Sequence, residues 1–254
     1  TYDGRYIYFA PFVGQTPECI LRYDTHGEFK TNASWRVYDA RPHDDLGITG
    51  YMGAVYAQGY VYFIGFSNFG GLVLRYDTQG DFGDANSWLS HVVGDYNQVY
   101  RNYEGATFDG RYLYLVPNLA NQSPTSSESG CFVRYDTSLP FTNASSWSSF
   151  SYLNTEGSNR FAYKGAVFDG RYVYYAPDMR TNNVESHHGL ALRYDSQYAF
   201  TNPASWTSFD ASAVGGLDGR GYAGAAFDGR FVFYVPNGES QEIHGHALAY
   251  DTQK

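Results

Sequence analysis

The chain has 254 residues, 43% of them hydrophobic, and a net charge of −9 with no basic run. The length allows one large all-β domain or two small ones. The negative charge removes the electrostatic attraction on which nucleic-acid binding depends, and an anionic membrane surface would repel the chain. No apolar run approaches the roughly 18 residues of a membrane helix, so we expect no membrane insertion.

The composition favours strands joined by tight turns, because Tyr, Phe and Gly together number 72 residues (26, 18 and 28). The chain also repeats itself. A "YDT" or "YDS" motif recurs at intervals of 53, 59, 59 and 56 residues, with its Asp at Asp24, Asp77, Asp136, Asp195 and Asp251. Such periods are typical of propeller blades.

Each repeat begins with a short strand of small residues, which predicts an innermost strand whose backbone approaches its neighbours closely. Four such strands are predicted: Gly53 to Tyr56, Gly105 to Phe108, Gly165 to Phe168 and Gly224 to Phe227. An Asp-Gly pair follows and predicts a type I′ hairpin turn. It occurs at Asp3, Asp109, Asp169 and Asp228. In the second repeat Ala57-Gln58-Gly59 stands there instead, so we expect a different type of turn.

The second and third strands are rich in aromatic and β-branched residues, as in "RYLYLVP" and "CFVRYDT". Arginines recur in both strands beside the recurring aspartates, which predicts ion pairs or hydrogen bonds between strands. These arginines are Arg5, Arg111, Arg171 and Arg230, then Arg22, Arg75, Arg134 and Arg193. The fourth strand opens with a Trp, which predicts packing between blades. The four are Trp35, Trp88, Trp147 and Trp206.

Four antiparallel strands in each of five repeats predict an all-β fold, a five-bladed β-propeller in a single domain, 1–254. The expected blades cover approximately 1–40, 51–92, 103–150, 163–209 and 222–254. The first lacks most of its inner strand and the fifth lacks its Ser-Trp strand. Either the native chain extends beyond this sequence, or a strand from elsewhere fills the gap. Self-association through the incomplete blade is one such route.

The order of a "YVYYAP" strand, an "RYD" strand and a Trp about a dozen residues later resembles the kelch repeat. The whole chain is also similar to bacterial multi-repeat propeller proteins that carry "GAVFDGRYVYFVP" and "LRYDT". Both resemblances imply a propeller fold and neither implies an established activity. The glycine pair that ends the second kelch strand is absent, so kelch-style partner binding is not carried over to individual residues.

One face of the propeller is expected to carry function, because the loops there differ between repeats. Each blade-to-blade loop delivers a Tyr two residues before Gly-Ala, and three carry an Arg upstream. A ring of phenols could stack on a sugar and hydrogen-bond its hydroxyls; alternatively, the Tyr residues pack between blades or cap the inner strands. The predicted ligand-binding residues are Tyr51, Tyr103, Tyr163, Tyr222, Arg101, Arg160 and Arg220.

Other chemistry has weaker signals. His187, His188, His244 and His246 lie near Glu185 and Glu242, but we predict no metal and no cofactor. Cys19 and Cys131 are predicted to be free thiols. Glycosidase chemistry would need a carboxylate pair at the channel mouth, which the sequence does not single out. The candidates are Asp44, Asp45, Asp95, Glu104, Glu156 and Asp218.

We therefore expect a non-catalytic binding propeller for a carbohydrate or protein ligand. The alternatives are a structural subunit of an extracellular array and a glycoside hydrolase. Sequons at Asn32, Asn121 and Asn143 point to an extracellular or cell-surface location.

Overall fold

The computed structural model describes residues 1–12, 19–43, 50–66, 71–93, 103–118, 131–152, 161–180, 187–237 and 245–254. These residues form 18 β-strands, and their only helical segments are short 3₁₀ turns. The turns are Asn32–Ser34, Arg41–His43, Ala85–Ser87, Ala144–Ser146, Pro203–Ser205 and Val214–Gly216.

The strands form five sheets. The first contains β1 (Tyr6–Phe9), β2 (Cys19–Asp24) and β3 (Trp35–Asp39). The second contains β4 (Gly50–Ala57), β5 (Tyr60–Phe66), β6 (Gly71–Asp77) and β7 (Trp88–Val93). The third contains β8 (Tyr103–Phe108), β9 (Tyr112–Pro117), β10 (Cys131–Asp136) and β11 (Trp147–Ser151). The fourth contains β12 (Phe161–Phe168), β13 (Tyr172–Arg180), β14 (Leu190–Asp195) and β15 (Trp206–Asp210). The fifth contains β16 (Tyr222–Phe227), β17 (Phe231–Pro236) and β18 (Leu248–Asp251).

Within each sheet the strands follow one another in chain order and pair antiparallel. Each sheet is one blade, so the predicted all-β five-bladed propeller is confirmed. The first and fifth blades each have three strands among the described residues, as the sequence predicted.

The inner strands β4, β8, β12 and β16 lie side by side. Their glycines are required by this close approach. A Cβ on Gly53 would lie 3.1 Å from the Cα of Gly105, and one on Gly165 would lie 2.8 Å from the Cα of Gly224. The predicted role of the small residues is therefore confirmed.

The Asp-Gly turns differ from the prediction. A type I′ turn needs positive φ at both central residues, yet in these turns only the glycine has it, as in Gly110 with φ 104°. The Asp109 side chain instead accepts hydrogen bonds from the backbone N–H groups of Arg111 and Tyr112. In the second blade both Gln58 and Gly59 have positive φ, 52° and 82°. The turn of the second blade therefore differs in type from the Asp-Gly turns, as predicted. However, it is the second blade, and not the Asp-Gly turns, that has two consecutive residues with positive φ.

The recurring Arg and Asp residues connect strands as predicted. Arg111 binds the Asp136 carboxylate through both Nε and Nη2, with a shortest distance of 2.6 Å. Three other blades repeat this pair: Arg5 with Asp24, Arg171 with Asp195, and Arg230 with Asp251. The ion pair thus belongs to the scaffold.

Trp88, Trp147 and Trp206 pack between blades, as predicted. The Trp35 ring instead contacts Phe9, Tyr23 and Phe29 of its own blade. Each of the four donates its indole N–H to the carbonyl of the Phe six residues earlier. Trp88 and Trp206 are buried in two of the four hydrophobic clusters, which lie between successive blades. The two cysteines are free thiols, as expected.

Candidate functional site

The four predicted tyrosines belong to the inner strands rather than to loops. Register shifts follow each of them, for example between Tyr163 and Ala166, and Gly165 has a φ of 83° there. Such a bulge redirects the neighbouring side chains. All four phenols are buried, with 1–2% of each residue exposed: Tyr51, Tyr103, Tyr163 and Tyr222. Their rings therefore present no face to solvent on which a sugar could stack.

The contacts of these phenols are those of core residues. The Tyr163 ring lies 5.6 Å from Phe132 of the preceding blade and 6.0 Å from Tyr175. The Tyr222 ring lies 5.7 Å from Tyr234, and burial raises the pKa of Tyr222 to about 12. The alternative of packing between blades thus describes these positions. A ligand-binding role for them stays a prediction.

The structure describes one of the three predicted arginines, Arg220. Arg101 and Arg160 lie outside the described ranges. Arg220 binds the Asp218 carboxylate through Nε at 2.8 Å and Nη2 at 2.6 Å, so its guanidinium is already engaged.

A pair of opposite charges lies where β8 and β12 are adjacent. The Lys164 Nζ is 4.0 Å from Glu104 Oε2, and the two side chains are only 20% and 9% exposed. Each residue directly follows one of the inner-strand tyrosines. The other two inner strands carry Met52 and Ala223 at this position. The charges are therefore not part of the repeat. Burying them costs free energy, and two of the four inner strands form without them.

A second polar group lies where the second strands of the blades end. Asn118, Asp178 and Asn237 each follow a Pro in the last part of such a strand, and all three are buried. Pro117 and Pro236 end β9 and β17, whereas β13 continues past Asp178 to Arg180. The Asn237 Nδ2 donates a hydrogen bond to Asp178 Oδ1 at 3.1 Å, which joins the fourth and fifth blades. Our sequence reasoning missed these residues. The signal was present, since three polar residues occupy one repeat position beside the divergent loops.

Two histidines adjoin Asp178. The His188 Nδ1 accepts a hydrogen bond from the Leu190 N–H, so Nε2 carries the proton and donates to the Ala162 carbonyl at 2.8 Å. His188 is thus held as a neutral imidazole. The His187 Nε2 lies 3.7 Å from Asp178 Oδ1. Among the described residues, no three His, Cys, Asp or Glu side chains are placed to hold a metal ion.

Of the six predicted carboxylates, Asp44, Asp45, Asp95 and Glu156 lie outside the described residues. The other two, Glu104 and Asp218, each lie beside a cation, Lys164 and Arg220 respectively. Glycoside hydrolysis needs one carboxylic acid with a raised pKa. A neighbouring cation has the opposite effect on a carboxyl pKa.

The structure resembles solved structures at low sequence identity. A putative 6-phosphogluconolactonase from Bacteroides uniformis has 11% identity and a TM-score of 0.51, over 97% of this chain and 64% of that one. Dihydro-heme d1 dehydrogenase NirN has 12% identity and a TM-score of 0.54, over 98% of this chain and 42% of that one. PorZ, a surface component of the type-IX secretion system of Porphyromonas gingivalis, has 11% identity and a TM-score of 0.52, over 98% and 28%.

The chain thus spans 28–64% of the length of these three proteins, and the likeness concerns the fold alone. No protein-family model and no curated protein sequence matches the chain. The resemblance to kelch repeats therefore stays a prediction. Within the described residues, no helix is both long and apolar enough to cross a membrane.

Proposed function

We propose that the chain is a non-catalytic binding propeller whose ligand is a carbohydrate, bound beside the Glu104–Lys164 pair of the third and fourth blades. The observation that carries this proposal is the Glu104–Lys164 pair. It interrupts a repeat position that Met52 and Ala223 fill elsewhere. Departures from a repeat's own pattern that cost stability are expected at functional sites.

The chemistry of this pair suits sugar hydroxyls, which both donate and accept hydrogen bonds. A carboxylate accepts and an ammonium group donates. Glu104 supplies the acceptor and Lys164 the donor. The net charge of −9 disfavours an anionic ligand. In this proposal the buried tyrosines support the inner strands that carry the pair.

The proposal is tested with the double variant Glu104→Met and Lys164→Ala. This variant places in the third and fourth blades the residues that the second and fifth already have, so the fold has precedents for both. Wild-type protein should bind defined oligosaccharides on a glycan array, and isothermal titration should show at least a tenfold loss for the variant. A wild-type protein without glycan hits, or a folded variant with unchanged affinity, would contradict the proposal.

A second candidate function is that of a self-associating structural subunit. In the fifth blade Phe233 and Val235 are 38% and 49% exposed, whereas the equivalent Tyr174 and Ala176 of the fourth blade are buried. Exposed apolar faces of this kind mark interaction surfaces. Analytical ultracentrifugation should then show oligomers that Phe233→Asp abolishes, and a strictly monomeric protein at high concentration would exclude this function. An extracellular location accompanies both proposals.

A further inference from the structure

The inner strands contain two kinds of bulge. In β4 and β16 the glycine of the Gly-Ala pair is paired with the second strand of its blade, as Gly53 is with Ile64. In β8 and β12 the pairing resumes only one residue later, at Ala106 and Ala166. The glycine of these two strands therefore lies inside the bulge.

The glycines in the two kinds of bulge also differ in backbone conformation. Gly105 and Gly165 have positive φ, 90° and 83°, whereas neither Gly53 nor Gly224 does. A bulge with a left-handed glycine turns the strand and redirects the side chains beside it. The residue that precedes the glycine is thus presented differently in β8 and β12 than in β4 and β16.

The left-handed glycines occur in the two strands that carry charges. Glu104 directly precedes Gly105, and Lys164 directly precedes Gly165. The charged atoms of the pair are 4.0 Å apart, which is longer than the about 2.7–3.2 Å of an N–H···O hydrogen bond. One hydroxyl oxygen can lie within hydrogen-bond distance of both atoms, because it accepts from the ammonium group and donates to the carboxylate.

Gly105 differs from Gly165 in the space around it. A Cβ on Gly165 would lie 2.8 Å from the Cα of Gly224, whereas a Cβ on Gly105 would have no atom within 4 Å. Close packing therefore does not require a glycine at position 105. Its positive φ does, since residues with a Cβ rarely adopt this conformation.

We propose that Gly105 is a positioning residue of the ligand site: its left-handed backbone holds the Glu104 carboxylate opposite the Lys164 ammonium group, so that the two together bind one sugar hydroxyl. This inference rests on the proposed carbohydrate site and adds the backbone feature that gives the site its geometry. A binding group must be held close to its productive position, so a change in the bulge should be felt at the hydroxyl.

The test compares two substitutions of Gly105. Gly105→Ala has room for its methyl group but disfavours positive φ, so the Glu104 side chain should turn away. A crystal structure of this variant should show the two charged atoms more than about 5 Å apart, too far for one hydroxyl to bond to both. Gly105→Asn should keep them near 4.0 Å, because Asn adopts the left-handed conformation more readily than Ala.

Gly110→Ala is the matched control. Gly110 lies in the turn after β8 of the same blade, has a φ of 104° and has no atom within 4 Å of a Cβ built on it. Its substitution should therefore cause a similar backbone strain in the third blade. The Glu104–Lys164 separation should nevertheless stay unchanged, because the control leaves the bulge intact.

Binding is measured by isothermal titration with four neutral sugars: maltotriose, cellotriose, mannotriose and xylotriose. A sugar that binds the wild type should bind Gly105→Ala about tenfold more weakly, the loss expected for a hydrogen bond to a charged group. Gly105→Asn should recover most of this affinity, and Gly110→Ala should bind as the wild type does.

The two measurements separate this inference from the proposed function. A 4.0 Å separation that persists in Gly105→Ala would overturn the positioning role, whatever the variant binds. Loss of the separation in Gly110→Ala as well would overturn it too, since any strain in the blade would then have the same effect. A separated pair with unchanged affinity would show that the pair does not bind the hydroxyl. If the wild type bound none of the four sugars, the result would count against the proposed function, and the separation in Gly105→Ala would still decide the role of Gly105.

Discussion

Arg134 of the third blade donates a hydrogen bond from Nη1 to the hydroxyl of Tyr194 in the fourth blade, at 3.2 Å. Its guanidinium also lies 4.0 Å from the Tyr112 ring and 4.8 Å from the Phe200 ring. One cation therefore holds two blades together. Arg22 makes the equivalent hydrogen bond to Tyr76 between the first and second blades.

Replacing Arg134 by Ala should lower the free energy of unfolding by about 2 kcal/mol, because it removes stacking on two rings and a hydrogen bond to a charged donor. Arg134→Lys should recover less than half of that loss, since an ammonium group cannot stack as a plane. Urea denaturation measures both. Arg36→Ala, at an exposed position, serves as the control. Wild-type stability in Arg134→Lys would show that charge alone is sufficient.

The burial of Tyr163 leads to a second prediction. Tyr163→Ala should lower the free energy of unfolding by about 3–5 kcal/mol, because it opens a cavity between the third and fourth blades. Tyr198→Ala is the matched control, since that ring is 59% exposed and its loss should cost less than about 0.5 kcal/mol. Thermal or urea unfolding measures the difference. Equal stability of the two variants would show that Tyr163 is not a core residue.

The scaffold could be predicted from the sequence because its residues recur. Trp88 and the pair of Arg111 and Asp136 occupy positions that return in most blades, and a repeated position has a repeated environment. The direction of Tyr163 could not be predicted in the same way. Its environment depends on a bulge at Gly165, and alternation along a strand does not reveal where a bulge occurs.

The two polar pairs were harder to predict because each joins residues that are distant in sequence. Asp178 and Asn237 are 59 residues apart and meet only because adjacent blades place the ends of β13 and β17 together. Glu104 was predicted as a candidate catalytic carboxylate. The sequence did not show that Lys164 of the next inner strand lies beside it. Contacts between blades require the packing of whole sheets, which local patterns do not specify.

The Arg111–Asp136 pair makes stability depend on pH. The hydrogen bond from Arg111 lowers the pKa of Asp136 from 3.8 to about 2. Because the pKa is lower in the folded state, the stabilisation is complete above the unfolded value and is lost as the pH falls from about 4 to about 2. Since the Arg111 side chain is 61% exposed, solvent screening weakens this contribution to stability.

Titration of the Asp136 carboxyl carbon by NMR measures this pKa directly. In Arg111→Gln the pKa of Asp136 should rise toward 3.8, and the stability of that variant should fall less between pH values of about 4 and 2 than that of the wild type. An unchanged Asp136 pKa in Arg111→Gln would show that the arginine is not its cause.

The close approach of the inner strands predicts different costs for two glycine substitutions. Gly165 and Gly110 both have positive φ, 83° and 104°, so an Ala at either position incurs backbone strain of about 1–2 kcal/mol. Only at Gly165 would the new Cβ meet a backbone atom, the Cα of Gly224 at 2.8 Å, whereas nothing lies within 4 Å at Gly110. Gly165→Ala should therefore cost at least about 1.5 kcal/mol more than Gly110→Ala, because the fourth and fifth blades must separate or distort. Urea denaturation of both variants measures this difference, and equal costs would mean that β16 moves freely away from β12.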